Sequence, residues 1–73
     1  MADVLIKNEA GTGPLATGRT NDPINADHLH VTDIDPVVRI VLGNEYVVGL
    51  DNGTNMVGRM CTALAGTNAT FTK

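Results

Sequence analysis

Hydrophobic positions are distributed unevenly along this chain, and the unevenness divides it. Val4-Leu5-Ile6 is a brief apolar cluster near the start, suited to a short strand or a hydrophobic anchor. Residues 8–30 then hold only Leu15, Ile24 and Leu29 among Leu, Ile and Val, interspersed with Gly11, Gly13, Pro14, Gly18 and Pro23. Thr12-Gly13-Pro14 and Asn21-Asp22-Pro23 break regular structure, because the residue before each proline is pushed out of the helical region. So long a stretch without a clear element is unusual inside a compact domain. Residues 8–27 therefore read as an extended arm or long loop, with Val4, Leu5 and Ile6 at its tip.

From residue 28 the pattern changes. Val37-Val38-Arg39-Ile40-Val41-Leu42 is a β-branched run bounded by Pro36 and Gly43, too short for a typical helix, and it predicts a strand. Gly43-Asn44-Glu45 supplies a turn and Tyr46-Val47-Val48-Gly49-Leu50 a returning strand, which together make a hairpin. Asp51-Asn52-Gly53 is a second turn, since Asn-Gly suits positive φ. Residues 55–65 fit two patterns. Met56, Val57, Met60, Cys61 and Leu64 share one helical face, whereas Met56, Met60 and Leu64 also alternate with Gly58 and Thr62 as on a strand. A helical turn is the preferred reading, despite the cost of about 1 kcal/mol for glycine in a helix interior. Ala69-Thr70-Phe71 adds a short strand. The expected fold is mainly β: an extended N-terminal arm over residues 1–27, and over 28–73 a small hairpin or barrel-like body with one short helix near its end.

Composition makes such a body hard to stabilise alone. Ordering 73 residues costs on the order of 100 kcal/mol, at roughly 1.5 kcal/mol per residue. Against this stand 18 Leu, Ile and Val, with Tyr46 and Phe71 as the only aromatic side chains. Cys61 has no partner for an internal disulfide, and no Cys/His set suits a structural zinc. Association is the remaining route at this size, so partner subunits and a homo-oligomer are expected. Net charge is −3, and the five basic residues are scattered, leaving no stripe for phosphates. Neither nucleic acid nor membrane is therefore an expected partner. No run approaches the roughly 18 apolar residues of a spanning helix, and the first residues lack the charged region of a secretory signal.

Candidate chemistry is thin. The chain contains no serine, which removes serine nucleophiles. A Cys61–His28 or Cys61–His30 pair is conceivable, but Cys61 falls on the apolar face of its segment, where thiols are commonly buried and inert. His28 and His30 project from one face if they lie on a strand. With Asp33 nearby they could hold a divalent metal, although the plainer reading is a polar strand face opposite Leu29 and Val31. Asp33-Ile34-Asp35 resembles the start of a calcium loop, but Asn44 stands where the closing Glu is required. Neither glycine cluster continues into a phosphate loop. An enzyme is not expected, nor a cofactor.

The extended segment at 8–27 and the Val/Ile hairpin at 37–50, with abundant Gly, Thr, Asn and Ala, resemble in layout the small decoration or cement proteins that stud the heads of tailed phages. That resemblance implies a non-enzymatic virion protein, assembled in the host cytoplasm, that binds and stabilises a capsid lattice. The arm would lie across capsid subunits or add a strand to them, with Val4, Leu5, Ile6, Leu15 and Ile24 as contacts. The alternative is a homo-oligomeric small β-barrel module binding a ligand or a divalent metal through His28 and His30. A swapped-hairpin DNA regulator is a third reading, opposed by the net acidity.

Overall fold

A computed structural model describes all 73 residues. Six strands account for most of the chain: β1 (Ala2–Lys7), β2 (Pro14–Thr20), β3 (His28–Asp35), β4 (Glu45–Leu50), β5 (Val57–Ala65) and β6 (Asn68–Thr72). They form a closed antiparallel barrel in the order β1-β2-β3-β6-β5-β4, with β4 pairing back onto β1. The mainly-β expectation holds, and the body is a complete barrel.

Alternation along each strand fills the interior. Val4 and Ile6, Ala16 and Thr20, Leu29, Val31 and Ile34, Tyr46 and Val48, Arg59 and Cys61, and Ala69 and Phe71 all point inward. Tyr46 and Phe71 meet edge to face at the centre, with ring centroids 5.9 Å apart, the arrangement favoured by opposed ring quadrupoles. Gly18 lets β2 press against β3. A Cβ there would lie 2.5 Å from Val31 Cγ1 and 2.9 Å from the Thr32 carbonyl oxygen.

Three sequence expectations are corrected. Residues 8–27 do not form an extended arm, because Pro14–Thr20 is strand β2, paired with both β1 and β3. The division into an arm at 1–27 and a body at 28–73 fails with it, since β1 and β2 are two of the six barrel staves. Polar bonding supplies the order that apolar content could not. The Asn8 side-chain oxygen accepts from the Thr12 N–H at 3.0 Å, and the Asn8 N–H donates to the Gly13 carbonyl at 3.0 Å, closing the β1–β2 turn.

The second correction concerns Val37–Leu42. It is not a strand: Val37–Arg39 is a short 3₁₀ turn and the rest is loop. Its β-branched composition yields to topology. In a ring of six, β3 and β4 stand opposite one another, so residues 36–44 must cross the mouth of the barrel and cannot run along its wall. Tyr46–Leu50 therefore pairs with β5 and β1 instead of with 37–42. The third correction is at 55–65, where the strand alternation prevails: Val57–Ala65 is β5, with Arg59 and Cys61 inward and no helical turn.

Candidate functional site

The five residues expected to meet a partner do not form a surface. Val4 and Ile6 are wholly buried in the core. Leu5 is half-buried on the outer wall, while Leu15 on β2 and Ile24 in the β2–β3 connection pack partly against the core. An anchor at the tip of an arm is thus replaced by core residues of a stave.

Three of the five exposed large apolar side chains lie on the connection across the barrel mouth, Met1 and Met60 being the others. Val38 is 83% exposed, Leu42 57% and Val41 50%. Between them Ile40 is buried and plugs the core beneath. The loop is firmly held. Arg39 and Ile40 N–H groups donate to the carbonyls of Pro36 and Val37 in the 3₁₀ turn, and the Asn44 N–H donates to the Val41 carbonyl at 3.1 Å. The Tyr46 hydroxyl accepts from the Val41 N–H at 2.7 Å and donates to the Arg39 carbonyl at 3.4 Å. The Gly43 N–H and the Asn44 carbonyl bond the backbone of Cys61 at 2.8 and 3.0 Å, and Arg39 Nη1 donates to the Leu15 carbonyl at 3.1 Å. Three aliphatic side chains are thereby presented to water on a braced backbone. Beside them opens a hollow of about 530 Å³ with a mainly polar lining that includes Glu9, Arg39, Asn44 and Glu45. An apolar centre with a polar border is the anatomy of a protein contact. Sequence reading assigned these same residues to a strand of a hairpin. The signal that could have relocated them was Pro36, which lacks a donor for a sheet ladder, followed by eight residues before the next paired strand.

The opposite end of the barrel is closed by polar groups. Arg59 is 3% exposed, and its guanidinium donates to the carbonyls of Ile24, Phe71 and Asp27 at 3.0, 3.1 and 3.3 Å. Its Nε is buried without a partner. Burial lowers its pKa, with Asp27 acting weakly the other way. Lys73 Nζ adds a bond of 2.7 Å to the Asn25 carbonyl. These contacts fasten the β2–β3 connection, residues 21–27, to the barrel.

His28 and His30 are exposed on one face of β3, as strand alternation requires. Asp33 does not join them. It adopts φ +54° at an irregularity in the β2–β3 pairing, and it borders a different hollow together with Asp3, Arg19 and Asp51. The carboxylate beside His30 is Asp22, which sequence spacing did not single out. Its Oδ2 accepts from the His30 backbone N–H at 2.9 Å and contacts Nδ1 of the ring at 2.8 Å. Those two bonds, the backbone one first, hold the Asp22 carboxyl below its ordinary value of 3.8. No group of three or more His, Cys, Asp or Glu side chains gathers into a metal-holding set.

Cys61 is buried beneath β5 and far from a reactive arrangement: its thiol donates only to the Ala63 carbonyl at 3.5 Å, and burial raises its pKa. No family model matches this sequence, and neither a curated protein nor a solved structure matches it.

Proposed function

We propose that the chain is a non-enzymatic structural protein that docks onto the subunits of a larger assembly, a virion shell or a comparable lattice, through Val38, Val41 and Leu42. The observation that carries this reading is the combination of exposure and bracing at the barrel mouth. Water-facing aliphatic side chains on a mobile loop would lose conformational freedom on binding and forfeit part of the gain. Here the backbone is already fixed by bonds to Tyr46 and Cys61, so the ordering cost is small.

Full burial of one aliphatic side chain stabilises by about 1.5–3 kcal/mol. Covering three that are already partly buried contributes on the order of 3–5 kcal/mol. At about 1.4 kcal/mol per tenfold, that is a useful but modest affinity for a single copy. Many copies on a repeating shell would turn it into firm attachment. Closure of the barrel also bears on the mode of binding. Each strand has neighbours on both sides, so docking by strand addition has no free edge to use, and side-chain burial takes its place.

The test is to quantify the chain in purified particles of its source by mass spectrometry. A fixed ratio to the principal shell subunit, maintained through density-gradient purification, is expected. Absence from the particles, with the chain recovered only in the soluble fraction, would overturn the reading.

A further inference from the structure

The wall of the barrel carries a second arrangement, independent of the mouth. His28 and His30 are two residues apart on β3, with Cα atoms roughly 6.6 Å apart at the usual strand rise. Each ring is tethered through Nδ1, by a different device. For His30 the partner is the Asp22 carboxylate, at 2.8 Å. A carboxylate only accepts, so Nδ1 carries a proton, and in the neutral ring that leaves the lone pair on Nε2.

For His28 the partner is a hydroxyl: Nδ1 lies 3.2 Å from Thr72 Oγ1, which lies 2.7 Å from Thr62 Oγ1. A hydroxyl both donates and accepts, so Nδ1 can take either role there. In both rings Nδ1 is the tethered nitrogen, Nε2 makes no bond within the chain, and both side chains are exposed on the same face of β3.

We propose that His28 and His30 form a two-imidazole site for a borderline divalent cation of the copper, nickel or zinc class, with Asp22 as the positioning residue. A ring that ligates through one nitrogen while the other donates to a carboxylate or hydroxyl is the arrangement that orients and strengthens a histidine ligand. The two side chains would supply two ligands from neighbouring outward positions of β3, with water completing the coordination. The site is open and selects by imidazole preference, so Cu²⁺ binds more tightly than Ni²⁺ or Zn²⁺, and Ca²⁺ and Mg²⁺, which demand oxygen, do not bind.

The experiment titrates the intact chain with Cu²⁺ and, separately, Zn²⁺ by calorimetry, with Mg²⁺ as control, while circular dichroism follows the fold. One cation per chain is expected, with the fold unchanged on binding. His28→Gln and His30→Gln should each weaken Cu²⁺ binding at least tenfold. Asp22→Asn should weaken it about tenfold while both ligands remain, the range seen when outer partners of ligating histidines are removed. Unchanged Cu²⁺ binding in the His28→Gln/His30→Gln double variant, or none in the parent chain, overturns the site. Full affinity in a folded Asp22→Asn variant overturns the positioning role.

Discussion

At one end of the barrel Ile40 reaches into the core from a loop whose other aliphatic side chains face water. At the other, Arg59 reaches out of the core to the carbonyls of a connection with little apolar content. Both devices close a small barrel, but they leave different surfaces behind. A polar clasp spends its groups internally, and its outer face is ordinary solvated backbone. An apolar plug leaves Val38, Val41 and Leu42 without a role in folding. In the proposed reading, these water-facing aliphatic side chains are buried against another molecule.

The largest effect should come from removing residues 1–27. This deletes β1, β2 and the inward side chains Val4, Ile6, Ala16 and Thr20. Far-ultraviolet dichroism and amide dispersion should show a chain that no longer folds. A folded, cooperatively melting remnant would restore the view of residues 1–27 as a separable arm.

The two ends can then be broken one at a time. Arg59→Met should destabilise by roughly 2–4 kcal/mol, because buried carbonyls of Phe71 and its neighbours lose their donors. Ile40→Ala should cost about 2–4 kcal/mol as a large-to-small core change. Val38→Ala, two residues away, should stay within about 0.5 kcal/mol, as exposed positions do. Equal losses at positions 38 and 40 in denaturant melts would erase the distinction between plug and surface.

Much of this was legible in the residues, and the misses share a cause. Of the two readings of Val4–Ile6 the short strand holds and the anchor does not, the short strand at Ala69–Phe71 is part of β6, and the outward pair His28 and His30 follows from period-two alternation. Cys61 was read as buried, although on a helical face and not on β5. Local apolar density misled in both directions elsewhere. Pro14–Thr20 looked too polar to be structural, yet it needs only Ala16, Gly18 and Thr20 inward, two of them small and the third bonded to the His30 carbonyl at 2.7 Å. Val37–Leu42 looked like the best strand in the chain, yet ring order sends it across the mouth. The Asp22–His30 contact spans a loop whose path no spacing rule supplies.

A smaller effect sharpens the polar end. Because the folded pKa of Asp22 is depressed, its contribution is complete above the ordinary value of 3.8 and fades as pH falls through the lower folded value. Amide exchange across residues 21–27 should stay slow down to that point and speed up below it, while Asp22→Asn should show faster exchange at every pH. A carboxyl titration of Asp22 at or above 3.8 in carbon-detected NMR would contradict the two-bond arrangement. Smallest of all should be the response of Cys61: native protein should react with a thiol reagent far more slowly than the denatured chain, since burial both shields the sulfur and raises its pKa.

The proposed docking role of the barrel mouth is tested most directly by rebinding. Purified particles stripped of the chain are incubated with parent protein or with a Val38→Asp/Leu42→Asp variant, then sedimented, and the bound fraction is measured across concentration. The account predicts a variant that melts like its parent and binds at least tenfold more weakly. A folded variant that saturates the particles at the parent's concentration would contradict it.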